Sequence, residues 1–148
     1  MPTIVDCHSR ESLVVEPRAS FKAAHIVEAP TRLVRSRGAP GNIRCDIGPE
    51  FISRVLDQQA AWNKVQRGLS RPDKPTDNAL IESFNGRLRQ ECLNGTWFVS
   101  LADAAERLEA WTQDCKELRP HTSLGNLTSN EYVSTRHVIQ AGSAEKIA

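Results

Sequence analysis

Two carboxylate residues, Asp46 and Glu82, carry the clearest chemical signal in this chain, with 35 residues between them. Asp46 ends a short apolar run at residues 43–46, and Glu82 lies in a segment whose apolar side chains recur at helical spacing. Hard cations such as Mg²⁺ prefer oxygen ligands, and phosphoryl-transfer sites usually supply only a couple of protein carboxylates. The pair therefore predicts a single metal site that acts on the phosphodiesters of a nucleic acid.

Basic residues accompany the two carboxylates. Arg89 follows Glu82 by seven residues, about two helical turns, so their side chains should share a neighbouring face. Arg87 lies close by, and Arg71 and Lys74 lie in the loop that precedes the helix. These four cations are candidate phosphate contacts, each adding to a salt-dependent affinity. An ordinary solvated helix face explains them equally well.

The composition is that of one ordinary globular domain. The 148 residues hold 19 Lys and Arg against 18 Asp and Glu, so the net charge of +1 creates no overall basic field. The four cysteines show no C-x-x-C spacing, which argues against a zinc finger or a disulfide framework. Because neither a leader peptide nor a long apolar run is evident, we expect a cytoplasmic protein without a membrane partner.

The first half of the chain predicts strands and helices in alternation. Residues 3–6 and 12–16 are β-branched runs that predict an antiparallel hairpin with a turn near Ser9 and Arg10. Pro30 should kink or split the first helix, and Gly68 should interrupt the last strand. Beyond the hairpin, the predicted segments are a helix at 20–37, a strand at 43–46, a helix at 50–62 and a strand at 65–69.

The second half predicts two amphipathic helices. Asp77 or Asn78 can cap the first of them after a loop at 70–78. Ser100 begins the second with a capping-box-like sequence. The expected core positions are Ile81, Phe84 and Leu88 in the first helix, and Leu101, Ala105, Leu108, Trp111 and Leu118 in the second. The whole pattern predicts a single α/β domain with a mixed sheet, followed by a disordered tail at 136–148.

Several motifs, taken in order, resemble the C-terminal part of an insertion-sequence transposase of the retroviral-integrase-like family. The resemblance covers about residues 3 to 135 and implies a ribonuclease H-like fold with an Asp, Asp, Glu catalytic set. The motifs that carry it are Asp46-Ile-Gly-Pro-Glu-Phe51, the loop and helix start at 70–79, Ile81-Glu-Ser-Phe-Asn-Gly-Arg-Leu-Arg-Gln-Glu-Cys-Leu93 and Arg119-Pro-His-Thr-Ser-Leu-Gly125.

The resemblance implies a role for particular residues. Asp46 is similar to the family's second catalytic aspartate and Glu82 to its catalytic glutamate, both as metal ligands. Arg89 matches a basic position that contacts DNA at the active site. The implied cofactor is Mg²⁺ or Mn²⁺ in a two-metal site, which would serve phosphodiester cleavage and strand transfer on DNA. The implied partners are element ends, target DNA and further transposase subunits.

The family's first catalytic aspartate has no counterpart here. It lies on the first strand of the sheet, which this chain starts too late to contain, so the resemblance implies a mixed sheet lacking that strand and a partial core at residues 1–135. Asp6 aligns with a non-catalytic strand end and is a weak candidate to replace it. We therefore expect little or no catalysis by the chain alone. The alternative is a non-catalytic remnant that at most binds DNA or intact transposase subunits.

Aromatic residues and a histidine have simpler interpretations. Trp62, Trp97 and Trp111 are expected in the core, although Trp97 lies in a predicted loop where a base could stack. His121 is expected to be a turn or capping residue without a catalytic role.

Overall fold

The computed structural model describes residues 1–20, 23–45, 66–69 and 79–144. The helix expected at 50–62 and the loop expected at 70–78 lie outside this part of the chain. In the described part, helices pack against one of two short sheets, as expected for an α/β domain. No helix in it is long and apolar enough to cross a membrane.

The chain opens with the predicted hairpin. Strand β1 (Thr3–Val5) pairs antiparallel with β2 (Ser12–Val15). Val14 is buried, and the turn between the strands places Arg10 in the left-handed region at φ 60°. Alternating β-branched residues are enough to specify such a strand pair when one of its faces is covered.

Helix α1 (Ala23–Arg37) runs without a break through Pro30. The expectation of a split at this proline is therefore wrong. Ala29 beside it is only 1% exposed, so packing of this helix stabilises a segment in which proline removes one backbone hydrogen bond. Gly38 follows with φ 85°, and its amide donates to the Val34 carbonyl at 2.9 Å, which ends the helix.

A second sheet contains two parallel strands, β3 (Asn42–Cys45) and β4 (Gln66–Leu69). Gly68 pairs with Arg44 inside this ladder, so the predicted interruption at Gly68 is wrong. Glycine weakens a strand but retains both backbone hydrogen-bonding groups, so the ladder can continue through it. The described strands form two separate pairs, ordered β1-β2 and β3-β4.

The core lies between the hairpin and two helices. Helix α2 (Ala79–Leu88) continues directly into a π-helical turn (Arg89–Leu93), and α3 (Leu101–Glu117) returns alongside. Their buried cluster is Leu88, Cys92, Leu108 and Trp111, with Val15, Phe84, Leu93 and Cys115 packed against it. The predicted core positions Leu88, Leu108 and Trp111 are confirmed.

The apolar stripe of α3 differs at its ends from the prediction. Leu101 is 50% exposed, Leu118 is 72% exposed and Ala105 is also exposed. The prediction that these three residues lie in the core is therefore wrong. The observed stripe is Ala104, Leu108, Trp111 and Cys115, at spacings of four, three and four residues. Helix α3 contacts β2, the π-helical turn and the last helix, and Leu101 and Leu118 remain in solvent.

The start of α3 has the predicted cap. The Ser100 side chain accepts a hydrogen bond from the Asp103 amide at 3.1 Å. The Asp103 carboxylate in turn accepts one from the Val99 amide at 3.1 Å. The first bond satisfies one free amide of the first helical turn, and the second, to the residue before the cap, resembles the reciprocal bond of a capping box.

After α3, a 3₁₀ turn (Thr122–Leu124) leads to the last helix, α4 (Ser129–Ala144). This helix runs through residues for which the sequence predicted a disordered tail from 136. Gly125, at φ 70°, ends the 3₁₀ turn.

Candidate metal and nucleic-acid site

Three of the six predicted site residues lie in the described part of the chain: Glu82, Arg87 and Arg89. Asp46, Arg71 and Lys74 lie outside it, so the structure does not test whether Asp46 meets Glu82. The described residues contain no group of three or more His, Cys, Asp or Glu side chains that could hold a metal ion together.

Glu82 lies in the first turn of α2 with its side chain in solvent. No described residue forms an ion pair or hydrogen bond with its carboxylate. An exposed carboxylate without a competing partner has the chemistry of a ligand for Mg²⁺, which binds through one or two carboxylates and water. The helix N-terminus would by itself favour such a negative charge.

Arg89 shares the face of Glu82, whereas Arg87 does not. At about 100° per residue, seven residues bring Arg89 to within roughly 20° of Glu82 around the helix axis. Arg87 lies about 200° from Arg89 by the same geometry. Both arginines are exposed. Glu82 and Arg89 thus combine a metal-ligand chemistry and a phosphate-binding chemistry on one surface.

Contacts with the hairpin and with α3 fix the orientation of α2. Thr3 in β1 donates a hydrogen bond to the Asn85 side-chain oxygen at 3.0 Å. The Phe84 ring meets the Trp111 ring edge-on, with centroids 5.5 Å apart. These contacts hold one face of α2 on the hairpin and α3, and the face that carries Glu82 remains accessible.

Asp6 is engaged in the hairpin turn. One carboxylate oxygen accepts from the His8 amide at 2.7 Å, and the other accepts from the Ser9 hydroxyl at 3.0 Å. Burial raises the pKa of Asp6, but these hydrogen bonds outweigh burial and leave that pKa below its usual range. The contacts give Asp6 a structural role at the end of β1 and disfavour it as a substitute metal ligand.

A cluster that sequence reasoning missed holds the π-helical turn. Arg119 donates to the Glu91 carboxylate and to Asp114 Oδ2, the latter at 2.7 Å. Its guanidinium also lies 5.8 Å from the centre of the Trp111 ring, and Trp111 Nε1 donates to Glu91 at 2.9 Å. The Arg119 hydrogen bond, followed by that of Trp111, lowers the pKa of Glu91. This cluster gives the Arg-Pro-His segment a structural function: it joins the end of α3 to the turn that begins at Arg89.

Replacement of Arg119 by alanine is expected to lower the free energy of unfolding by roughly 1 to 2 kcal/mol. The substitution removes two charge-assisted hydrogen bonds and a cation–π contact. Their expected contribution to stability is reduced because the Arg119 side chain is partly exposed. Urea unfolding followed by circular dichroism would measure it. Arg107→Ala is the matched control, since Arg107 forms only an exposed pair with Asp103 one turn earlier on α3. Equal midpoints for the two variants would contradict a stabilising role for the Arg119 cluster.

His121 has the predicted role in a turn. Its amide donates to the Leu127 carbonyl at 2.9 Å, and its own carbonyl accepts from the amides of Leu124 and Asn126. Burial, then the nearby positive charges of Arg87 and Arg10, lower the pKa of the imidazole.

The tryptophans occupy different environments. Trp111 is buried, as predicted, and Trp62 lies outside the described residues. Trp97 is 95% exposed in the segment between the π-helical turn and α3, so the expectation that it belongs to the core is wrong and its predicted loop position is confirmed.

Comparisons with known proteins agree on one family. Residues 63–128 match the model of the integrase core domain. The chain is 43% identical over 132 residues to the insertion element IS407 uncharacterized 31.7 kDa protein of Burkholderia multivorans, covering 89% of this chain and 48% of that protein. It is 36% identical over 142 residues to the insertion element IS476 uncharacterized 39.2 kDa protein of Xanthomonas euvesicatoria, covering 96% of this chain and 41% of that protein. The chain therefore spans about half the length of the curated relatives it matches.

Solved structures share the fold. The catalytic core domain of BIV integrase superposes with a TM-score of 0.63 at 16% identity, covering 93% of this chain and 88% of that domain. A chain of the simian T-cell lymphotropic virus intasome, solved in complex with PP2A regulatory subunit B56 gamma, superposes with a TM-score of 0.57 at 17% identity. This match covers 80% of the present chain and 42% of that chain. The expectation of an integrase-type, ribonuclease H-like fold is confirmed, here with a short sheet.

Proposed function

Because residues 63–128 match the integrase core domain and the chain is 43% identical to an insertion-element protein over 132 residues, we propose that it supplies the C-terminal part of a transposase catalytic core. The reaction is DNA transposition or integration in the cytoplasm, through metal-dependent phosphodiester cleavage and strand transfer. The observation that carries the proposal is the accessible face of α2, where Glu82 and Arg89 lie together and no described residue pairs with the Glu82 carboxylate.

Each residue of the proposed site has a separate task. Asp46 and Glu82 would hold Mg²⁺ or Mn²⁺, which when bound activates the attacking hydroxyl and stabilises the leaving oxygen. Arg89 would contact a DNA phosphate next to the scissile bond and so orient the strand relative to Glu82. The Phe84 and Asn85 contacts would keep the helix from rotating, which preserves the alignment of the two side chains.

We further propose that the chain alone does not catalyse this reaction. Of the three carboxylates of the family's catalytic set, Asp46 and Glu82 are the two that match here, and Asp6 serves the hairpin turn. Catalysis would then require association with intact transposase subunits, which fits the multimeric character of the family.

The alternative function is that of a non-catalytic remnant, which binds DNA or intact subunits without contributing to chemistry. The engagement of both Asp6 carboxylate oxygens in the hairpin turn favours it. The two functions differ in whether Glu82 matters for a reaction. Supercoiled plasmid nicking in Mg²⁺ and in Mn²⁺ would be measured for the chain alone and for the chain mixed with the 43% identical Burkholderia relative.

We expect no nicking by the chain alone. Wild-type chain that raises the relative's activity, while Glu82→Gln does not, would support the catalytic proposal. Equal effects of wild type and Glu82→Gln would favour the remnant. Nicking by the chain alone that disappears in Glu82→Gln would overturn both the remnant and the proposed dependence on intact subunits.

Arg89→Ala is expected to weaken binding to a 30-base-pair duplex about 3- to 10-fold and to reduce the salt dependence by about one phosphate contact, since each contact releases condensed counterions. Fluorescence anisotropy at several salt concentrations would measure both quantities. Arg35→Ala is the control, because Arg35 is an exposed arginine in the last turn of α1. An unchanged salt slope in Arg89→Ala would remove Arg89 from the DNA-binding surface.

A further inference from the structure

A basic crevice lies between the hairpin, α2, α3 and the segment after α3. Side chains that line it include Arg10 from the hairpin turn, Arg87 from α2, Lys116 and Arg119 from the end of α3, and His121. No carboxylate is among the described residues that line this crevice. Separate elements of the fold thus bring cationic or protonatable groups to one concave surface, an arrangement that concentrates positive potential.

Two of these cations, Arg10 and Arg87, form no ion pair with a carboxylate among the described residues. Lys116 pairs with Glu11 at 3.5 Å, and Arg119 pairs with Glu91 and Asp114. By contrast, Arg10 donates only to the Ser123 hydroxyl at 3.3 Å, and Arg87 forms no ion pair with a described residue.

The positive charges of these two arginines act on the imidazole of His121, which lines the same crevice. After burial, Arg87 and Arg10 are the groups that lower the pKa of His121, as expected when positive charges face a histidine without a compensating anion. Lys116 and Arg119 line the same crevice, but their carboxylate partners offset their charge.

The crevice is separate from the surface that carries Glu82. Its lining on α2 consists of Leu80, Ser83, Phe84 and Arg87, which form one helical stripe. The centre of that stripe lies roughly 150° around the axis from Glu82 at about 100° per residue. A ligand in the crevice would therefore contact the protein on the other side of α2 from the proposed metal site.

We propose that this crevice binds one phosphate group, held by Arg10 and Arg87 with His121 at its side. An arginine guanidinium presents several N–H donors in a plane that suits phosphate oxygens. Two guanidiniums on separate elements, neither in an ion pair with a described carboxylate, can bind the same anion. The phosphate belongs to a DNA backbone or is free in solution. The DNA source rests on the proposed function, whereas phosphate binding does not.

Inorganic phosphate is the first probe. Its binding would be followed by NMR through the ring signals of His121, which are assigned with a His121→Gln variant. We expect bound phosphate to raise the pKa of His121, because the anion favours the imidazolium. Arg10→Asn and Arg87→Gln should each weaken phosphate binding at least about 10-fold. Asparagine is chosen because it tolerates the left-handed backbone at residue 10. Arg35→Gln, outside the crevice, should stay within about twofold.

Measurements of duplex DNA binding distinguish a backbone phosphate from free phosphate as the ligand. If the ligand is a backbone phosphate, Arg10→Asn should lower the salt slope of DNA binding by about one and add to the effect of Arg89→Ala. If phosphate binding is lost in Arg10→Asn while DNA binding is unchanged, the crevice takes free phosphate. If inorganic phosphate leaves His121 unperturbed in the folded wild type, the proposal is overturned. Failure of all DNA binding would instead contradict the proposed function, and the inorganic phosphate result would still decide the crevice.

Discussion

Leu108→Ala is expected to lower the free energy of unfolding by about 3 kcal/mol. Leu108 is 1% exposed at the centre of the cluster formed with Leu88, Cys92 and Trp111. Truncation of a buried leucine removes its transfer free energy and leaves a cavity that the neighbouring side chains fill only in part. For a domain of ordinary stability, such a loss is a large fraction of the total.

Leu118→Ala on the same helix is the matched control. Its side chain is 72% exposed, so the same chemical change should alter stability by no more than about 0.5 kcal/mol. Urea denaturation monitored by Trp fluorescence and by circular dichroism would measure both variants. Similar losses for Leu108→Ala and Leu118→Ala would mean that the stripe expected from sequence, with both leucines in the core, is the correct one.

Glu11→Ala is expected to lower the free energy of unfolding by about 2 kcal/mol. Glu11 is 7% exposed at the start of β2, and its two carboxylate oxygens each accept from Arg37 at 2.7 Å. Lys116 approaches the same carboxylate at 3.5 Å. Removal of a buried charge partner typically costs about 3 to 5 kcal/mol, and the smaller value applies here because the Arg37 side chain is half exposed.

The Glu11 contribution should depend on pH in a defined direction. Burial raises the pKa of Glu11, but Arg37 and then Lys116 outweigh it, so this pKa lies below its ordinary value of 4.5. A carboxyl with a depressed folded-state pKa stabilises the fold above its unfolded value, and this stabilisation is lost as the pH falls through the folded value.

The difference in unfolding free energy between wild type and Glu11→Ala should therefore persist above about pH 4.5 and shrink below it. Thermal unfolding between pH 3 and pH 7 would test this, with Glu109→Ala, an exposed position on α3, as the control. A difference that stays constant down to pH 3 would show that Glu11 acts through packing alone.

The local parts of the fold were predictable from sequence. The β-branched runs gave the hairpin, Ser100 gave the start of α3, and helical spacing gave Leu88, Leu108 and Trp111, because each of these signals acts within a few residues. The burial of Ala104 in preference to Leu101 was not predictable, since it depends on where the neighbouring elements meet the helix.

The residues of the candidate site were also only partly predictable from sequence. Glu82 and Arg89 were proposed from their motif and spacing, and both side chains are exposed, within roughly 20° of each other around the axis of α2. The cluster of Arg119 with Glu91 and Asp114 was missed because Arg119 and Glu91 are 28 residues apart and no local pattern links them. Likewise, only the tertiary fold brings Arg10 to the same crevice as Arg87.

The separation of the two strand pairs means that local stability is unevenly distributed along the chain. The hairpin is covered by α2 and α3, so we expect the amides bonded within its ladder to exchange slowly with solvent. Among the described elements, β3 and β4 contact mainly each other, so we expect their shared ladder to open more readily than the hairpin. A single unfolding midpoint would then report on the hairpin–helix unit rather than on the whole chain.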